Sequence, residues 1–356
     1  MTRRRTLRTV DSLVEAGLVD KNAAEALTKV AARYAISITP TVVEALTGSP
    51  DDPIGRQFVP TLDELIIDPD ELTDPIGDER HTPVAGITHR YRDRVLLKPV
   101  HVCPVYCRFC FRREVVGPGQ GVLTDKDLRA ALAYIGEHTE IWEVILTGGD
   151  PLIMSPARIR RIVGELDRIP HVAVVRIHSR VPVLAPERIT DELIEALTVP
   201  TPVWLVVHCN HHRELGPAAA AALRRLSQAG IPLLSQSVLL RGVNDTAEEL
   251  ERLFRSLVAL KVKPYYLHHP DLAPGTAHLR TSIAHGQRLM RSLRGPVSGL
   301  CQPTYVLDIP GGHGKVPIAA PHLTRDGDGY LVTDPAGVVH RYAPKTALVG
   351  DDEEDG

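Results

Sequence analysis

Between residues 95 and 295, short apolar runs alternate with helical stretches, and the alternation repeats six times. The predicted strands are VLLKPV, VILTGG, VAVVRIHS, VWLVVHCN, PLLSQSVLL and PYYLHH. Several of the intervening segments begin at Thr, Asp or Pro, which favour helix starts; the predicted helices cover residues 125–138, 156–168, 190–197, 217–229, 246–260 and 283–293. This alternation predicts an α/β fold with a parallel sheet, either a barrel or a doubly wound sheet.

Polar residues at the carboxyl ends of the strands favour the barrel. Three cysteines follow the first strand, and the later strands end at or contain Gly148-Gly149-Asp150, His178-Ser179-Arg180, His208 with Asn210, Gln236, and His268-His269-Pro270-Asp271. In a barrel these ends converge on one mouth, where side chains from many strands can surround one ligand. We therefore predict a partial (β/α)6 barrel over residues 95–295.

The segments on either side of the barrel have different patterns. Apolar residues at helical spacing predict a small helical region over residues 1–50, and residues 51–94 are predicted to be an acidic connecting segment. In residues 296–345, PTYVLDIPGGHGK predicts a strand that enters a glycine-rich turn, and GDGYLVTDPAGVVHRYA predicts a hairpin. Residues 346–356 are predicted to be a disordered acidic tail.

Charge and hydropathy exclude several classes of partner. The formal net charge of −3 provides no basic field, which disfavours nucleic acid as the main partner. No run approaches the roughly 20 apolar residues that a membrane helix needs. The basic start MTRRRTLRTV is followed by charged residues, where a signal peptide would need an apolar run. We therefore expect a cytoplasmic protein.

Three of the five cysteines lie in the segment HVCPVYCRFCFRR. Cys103, Cys107 and Cys110 have the spacing C-x3-C-x2-C, which suits metal ligation better than a disulfide framework. Electron-carrier clusters usually take four protein thiolates, so three would leave one iron of a [4Fe-4S] cluster open. A zinc site completed by His101 is the alternative, although the spacing is not that of paired zinc-ribbon cysteines.

The residues around this motif are interpreted more simply. Three arginines close to the cysteines, Arg108, Arg112 and Arg113, are expected to offset the charge of a thiolate-ligated cluster. Cys209 and Cys301 stand alone, and we expect both to be small buried hydrophobic residues.

Lys315 follows a glycine-rich turn in the segment PGGHGK. A phosphate-binding loop is disfavoured because Ile309 and Val316 replace residues that the Walker pattern requires. A purely structural turn remains an alternative. A lysine in such a turn is also well placed to reach a carbonyl carbon and form a Schiff base.

The cysteine loop after the first strand resembles the radical S-adenosylmethionine (SAM) superfamily. The resemblance implies a [4Fe-4S] cluster on the three cysteines, with SAM bound to the open iron. Gly148, Gly149 and Asp150 resemble the superfamily's second motif, which contacts SAM, and glycine there permits close approach of the backbone to a ligand. By the same resemblance, four residues at the barrel mouth contact SAM or a second cofactor: Ser179, Arg180, His208 and Gln236.

Within this superfamily, the segments THRYRDR, CRFCFRR, LTGGDP, SQSVLLRGVND, KPYYLHHPDL and PGGHGK resemble the lysine 2,3-aminomutase family over roughly residues 85–318. This resemblance implies that Lys315 holds pyridoxal 5'-phosphate (PLP) as an internal aldimine. Residues that match the PLP surroundings of the family are Arg90, Tyr91 and Arg94. Arg112 matches the residue that binds the substrate carboxylate, and Asp271 and Asp308 match the two carboxylates that bind the distal ammonium of lysine.

The implied activity is the interconversion of L-lysine and β-lysine by 2,3-amino migration, through a 5'-deoxyadenosyl radical. Retention of two acidic residues for the distal group favours lysine over glutamate as substrate. Three alternatives remain at this point: another amino acid, a role in modifying a translation factor with β-lysine, or a non-catalytic iron-sulfur or zinc protein.

The resemblance also implies partners. An electron donor such as flavodoxin or ferredoxin must reduce the cluster, and the family habit favours a homo-oligomer. Some members carry a zinc-binding cysteine cluster, completed by a Cys after the GVND segment. Here Thr246 follows that segment and no Cys follows Cys301, so we expect that zinc to be absent.

Overall fold

The computed structural model describes residues 5–117, 119, 121–327 and 329–343, so the predicted acidic tail lies outside the described residues. The α-helices are α1 Val10–Glu15, α2 Ala24–Arg33, α3 Pro40–Ala45, α4 Gly55–Phe58, α5 Asp125–Glu137, α6 Pro156–Asp167, α7 Val181–Leu184, α8 Asp191–Leu197, α9 Pro217–Gln228, α10 Ala247–Ala259 and α11 Ile283–Leu293. The strands are β1 Ile87–Tyr91, β2 Arg94–Val100, β3 Glu143–Gly148, β4 Val174–Ser179, β5 Val203–His208, β6 Leu233–Val238, β7 Val262–His268, β8 Thr304–Ile309, β9 Gly314–Pro317, β10 Leu323–Asp326, β11 Gly329–Thr333 and β12 Val339–Tyr342.

A nine-stranded sheet in the order β1 to β9 forms the centre of the molecule. Strands β2 to β8 pair in parallel, whereas β1 and β9 pair antiparallel at the two edges. The predicted α/β fold with a partial barrel is therefore confirmed. Strand β8, from the segment after residue 295, extends the parallel part of the sheet.

The helices cover the outside of the sheet through apolar faces. In α10, Leu250, Leu253, Phe254 and Leu257 are buried, at the spacing of one helix face. Burial of each such side chain stabilises the fold by about 1.5–3 kcal/mol. Thr246 caps this helix by accepting a hydrogen bond from the Glu249 backbone N–H. Among the described residues, no helix is long and apolar enough to cross a membrane.

The helical N-terminal region is packed against the cysteine loop. The Tyr106 N–H donates to the Ser37 carbonyl oxygen at 3.1 Å, and Ser37 Oγ donates to the Pro104 carbonyl oxygen at 2.7 Å. Leu7 and Ile38 exchange backbone hydrogen bonds, which joins the two ends of this region. The N-terminal residues therefore cover the loop that carries the cysteines.

The two edges of the sheet meet at the glycine-rich turn. The Lys315 N–H on β9 donates to Tyr91 Oη on β1 at 2.8 Å, although these strands lie at opposite ends of the strand order. Gly77 has a φ of 66°, and a Cβ there would lie 2.6 Å from the Gly311 carbonyl carbon. The glycine-rich turn is therefore packed closely against the connecting segment at Gly77. Beyond it, β10, β11 and β12 form a small antiparallel sheet that includes the predicted hairpin.

Candidate active site

A cavity of about 900 Å³ runs through the barrel, and residues from both ends of the parallel strands line it. Every site residue predicted from the sequence lines it: Arg90, Tyr91, Arg94, Cys103, Cys107, Cys110, Arg112, Gly148, Gly149, Asp150, Ser179, Arg180, His208, Gln236, Asp271, Asp308 and Lys315. The volume is within the range of small-molecule sites. The barrel thus brings the predicted residues to one chamber.

The three cysteines stand on one wall of this cavity as free thiols. Enclosure by the protein raises the pKa of all three, that of Cys110 to about 11. Thiols in such a setting lose their protons when they coordinate a metal, because the positive charge of the metal ion stabilises the thiolate. The donor set therefore suits an iron-sulfur cluster.

The spacing of the sulfur atoms argues against a single zinc ion. Two thiolates on one zinc lie about 3.8 Å apart, given a Zn–S bond of about 2.3 Å. Among the described residues, one group of three metal-ligating side chains has its ligand atoms within 4.8 Å of one another, and it is His211, His212 and Glu249. At least one pair of the cysteine sulfurs is therefore more than 4.8 Å apart, which is wider than a single zinc ion would hold them.

That histidine group has an internal explanation. His211 Nδ1 accepts a hydrogen bond from the Arg213 N–H, which places the ring proton on Nε2, 2.9 Å from Glu249. A nitrogen that carries a proton cannot ligate a metal. His138 and His171 each bond a backbone carbonyl oxygen in helix α5.

Two of the arginines near the cysteines have an acidic partner that the sequence did not indicate. Arg108 and Arg113 both form ion pairs with Glu64, a fully buried residue of the connecting segment. Burial alone would raise the pKa of Glu64, but the two guanidinium groups hold it below its ordinary value. These arginines therefore fasten the connecting segment to the cysteine loop.

Arg180 is a further cation beside the cysteines. Its Nη1 donates to Cys107 Sγ at 2.8 Å. Its Nη2 donates to Glu214 Oε2 at 2.5 Å and to Gln57 Oε1 at 3.1 Å. The Arg180 side chain is buried. The sequence did not indicate Gln57 and Glu214 as its partners because both lie far from it along the chain. Arg180 therefore joins the sulfur of one cysteine to a buried polar network.

The glycines of the second motif pack against the cysteine loop. A Cβ on Gly148 would lie 2.6 Å from the Val100 carbonyl oxygen, and one on Gly149 would lie 2.5 Å from Val102 N. Glycine is thus required by the packing of the cysteine loop against β3. The Asp150 carboxylate accepts from Ser179 Oγ at 2.7 Å and from three backbone N–H groups. Burial raises the Asp150 pKa, and these hydrogen bonds oppose the rise.

The opposite wall carries Lys315 and Asp308, which are cross-strand partners in the β8–β9 pair. Lys315 Nζ forms an ion pair with Asp308 Oδ2 and lies 3.3 Å from His268 Nδ1. The pKa of Asp308 is held well below its usual range: burial alone would raise it, but His268 and Lys315 lower it more. Lys315 is therefore tied in place before any ligand binds.

Asp271 is a second acidic residue on this wall. Burial and the nearby charge of Asp308 raise its pKa to about 7. Asp271 is therefore half neutral near neutral pH. A cation bound between the two carboxylates would favour its ionised form.

A cluster of cations lies around Asp78, a buried residue of the connecting segment. Asp78 accepts from Arg112 at 2.9 Å and from Arg90 at 3.2 Å, and Lys98 Nζ lies 3.7 Å away. One carboxylate thus faces three cations, so the cluster retains positive charge. Sequence reasoning missed Asp78 because the segment was interpreted only as a connection.

The remaining predicted contacts lie between these walls. Arg94 stacks on the Tyr91 ring, with its guanidinium carbon 3.9 Å from the ring centroid. His208 packs against Phe109, and burial lowers the His208 pKa well below its ordinary value. Gln236 lines the cavity from β6. The chamber thus has a sulfur-rich wall, a cationic wall and an acidic wall that carries an amine.

Comparisons with known proteins agree with this arrangement. Residues 97–257 match the family model of the Radical SAM superfamily. The chain is 37% identical over 342 residues to the L-lysine 2,3-aminomutase of Clostridium subterminale, covering 96% of this chain and 82% of that protein. It is 40% identical over 309 residues to the L-lysine 2,3-aminomutase of Acetoanaerobium sticklandii, covering 86% and 75%. It is also 34% identical over 326 residues to the glutamate 2,3-aminomutase of Clostridioides difficile, covering 91% and 76%.

Proposed function

Because the chain belongs to the lysine 2,3-aminomutase family of radical SAM enzymes, we propose that it interconverts L-lysine and β-lysine, using PLP on Lys315. Membership makes it an isomerase of the aminomutase type that uses a [4Fe-4S] cluster and SAM. The main support for lysine as the substrate is the pair Asp271 and Asp308, which line the cavity together with Lys315.

The sulfur wall supports cluster binding by Cys103, Cys107 and Cys110. A cluster with bound SAM supplies, when reduced, a carbon radical that can remove a hydrogen atom from a substrate. The protein positions this site through the packing of Gly148 and Gly149, which sets where the cysteine loop lies against the sheet. The N-terminal region covers the loop and limits the access of water.

Two arginines that line the cavity fit the phosphate of PLP. Arg90 and Arg94 are the proposed phosphate ligands, and Tyr91 provides an aromatic face near Lys315. PLP supplies a carbonyl group for the nitrogen of the amino acid and a π-system that stabilises an unpaired electron during migration. Lys315 is the amine within the cavity that we propose to carry it.

Arg112 is the proposed ligand of the substrate carboxylate. In the structure Arg112 lines the cavity, and its Nε and Nη2 both donate to Asp78 Oδ2. A guanidinium pairs with a carboxylate through two parallel hydrogen bonds, which orients as well as binds. Asp78 would keep Arg112 in position while the substrate is absent.

Asp271 and Asp308 are the proposed partners of the distal ammonium. Glutamate would place a carboxylate at this wall, and two acidic residues would repel it. The relative named for glutamate makes this the main competing substrate. The acidic wall favours lysine because the opposite charges attract.

An assay with a panel of amino acids tests the proposal. The protein is incubated anaerobically with reductant, SAM and PLP, together with lysine, glutamate or another amino acid. Chiral separation then detects β-isomers. β-Lysine should form with the wild type and not with Lys315→Ala. Isomerisation of glutamate without any β-lysine would refute the assignment of lysine.

We also propose that a one-electron donor such as flavodoxin or ferredoxin reduces the cluster in the cell. The predicted homo-oligomer and the cytoplasmic location remain predictions. Size-exclusion chromatography with light scattering would test the oligomer.

A further inference from the structure

His268, at the end of β7, lies against the proposed PLP lysine. Its Nδ1 is 3.3 Å from Lys315 Nζ and 3.4 Å from Asp308 Oδ2, so the three groups form a compact triangle. Its other ring nitrogen, Nε2, is buried without a hydrogen-bond partner among the described residues. The sequence placed His268 at the barrel mouth but gave it no role.

An ion-paired lysine cannot attack a carbonyl group. Lys315 in its pair with Asp308 is an ammonium, which has no free electron pair. Lys315 must therefore lose a proton before it can react. Asp308 is a poor acceptor for that proton, because His268 and Lys315 together outweigh the effect of burial and keep the pKa of Asp308 well below the usual range. With its ring proton on Nε2, neutral His268 has its free electron pair on Nδ1, the nitrogen that faces Lys315 Nζ, and burial lowers the pKa of His268, which keeps the ring neutral.

We propose that His268 is a catalytic residue that accepts the proton from the Lys315 ammonium when PLP is captured and returns it when the lysine is released. This inference rests on the proposed function, because it assumes that PLP attaches to Lys315. In the step, one proton leaves Nζ and joins Nδ1, and no other bond changes. The imidazolium that forms lies 3.4 Å from Asp308 Oδ2, whose negative charge stabilises it.

The charged surroundings of His268 support this direction of transfer. Lys315 faces it from β9 and Asp308 from β8, with Tyr266 on its own strand. The other titratable groups that act on it are His178 on β4 and His208 on β5. Burial lowers the pKa of both histidines, so neither adds a positive charge near neutral pH.

PLP capture tests the inference without the radical reaction. The cluster-loaded protein is stripped of PLP and mixed with fresh PLP, without SAM or reductant. Attachment is followed by absorbance, then fixed with borohydride and located by mass spectrometry. His268→Gln is compared with His269→Gln, because the His269 ring bonds the Tyr305 hydroxyl and not Lys315.

We expect His268→Gln to slow capture by about 100-fold, the scale of general-base catalysis. Its rate should rise with pH through the neutral range, where the wild-type rate is nearly flat, and added imidazole should restore much of it. His269→Gln should capture PLP at the wild-type rate. If His268→Gln does not fold, His268→Asn takes its place.

Two results would overturn the proposed role of His268. One is capture by the variant at the wild-type rate with the same pH profile. The other is slower capture that imidazole does not restore, since this indicates a structural role. If the wild type itself carried no label at Lys315, the proposed function would fail as well, so the two failures are distinguishable.

Discussion

Asp271 provides a prediction about lysine affinity and pH. Its pKa is raised to about 7 by burial and by the charge of Asp308. About a tenth of the molecules therefore have an ionised Asp271 at pH 6, and about nine tenths at pH 8, because the ratio changes tenfold per pH unit. If only the ionised form binds the distal ammonium, lysine should bind about tenfold more tightly at pH 8 than at pH 6. Tenfold corresponds to about 1.4 kcal/mol.

The sign follows from the direction of the pKa change. A carboxyl whose pKa is raised is neutral below that pKa, so the attraction is present above about pH 7 and is lost as the pH falls through it. The α-amino group of any amino acid also titrates, which would obscure a measurement on lysine alone. Norleucine has the same α-groups and chain length but no distal ammonium, so the ratio of the two affinities isolates the contact.

The assay is equilibrium binding of lysine and norleucine to the PLP-loaded protein, without SAM, from pH 6 to pH 8. In the wild type, the preference for lysine should increase about tenfold over this range. In Asp271→Asn, which cannot ionise, the preference should be weaker and independent of pH. A preference that is flat in the wild type, or equally steep in Asp271→Asn, would refute the reasoning.

Three further predictions concern other parts of the site. Arg180→Lys should shift the cluster's midpoint potential to more negative values, because hydrogen bonds to cysteine sulfur stabilise the reduced cluster. An EPR-monitored redox titration measures this potential, and an unchanged value would refute the proposed effect of the hydrogen bond to Cys107. Glu64→Gln should lower the free energy of unfolding by about 3–5 kcal/mol, measured by denaturant titration, because two buried arginines lose their counter-ion; a loss below 1 kcal/mol would contradict this. Gly149→Ala should lower the melting temperature even of cluster-free protein, because a Cβ would overlap the Val102 backbone. An effect confined to SAM affinity would indicate that glycine is required there for ligand binding and not for packing.

The sequence was sufficient for the barrel because its signals are local. Apolar runs and helix caps act within a few residues, and the polar residues that follow each strand must meet at one mouth once the strands run parallel. All the site residues predicted on this basis, and on the family resemblance, line one cavity. Lys315 is an example, since the glycine turn made it a candidate and the family resemblance implied its role.

The missed features depend on contacts between distant segments. The pairing of Arg108 and Arg113 with Glu64 was missed because Glu64 lies more than 40 residues earlier, in a segment without a recognisable pattern. The packing of Gly149 against the Val102 backbone was missed for the same reason, since periodicity does not show which backbone packs against a turn. The pairing of Lys315 with Tyr91 joins opposite edges of the sheet, and only closure of the barrel creates it.

The central claim is that nitrogen moves from the α to the β carbon of lysine within one molecule. NMR of L-lysine labelled with 15N at the α-amino group and with 13C along the chain tests it directly, in an anaerobic reaction with SAM, PLP and reductant. We predict that 15N becomes bonded to carbon 3 of the same labelled molecule, and that Lys315→Ala abolishes the signal. Unchanged lysine alongside rearranged glutamate, or 15N lost to unlabelled amine, would contradict the account.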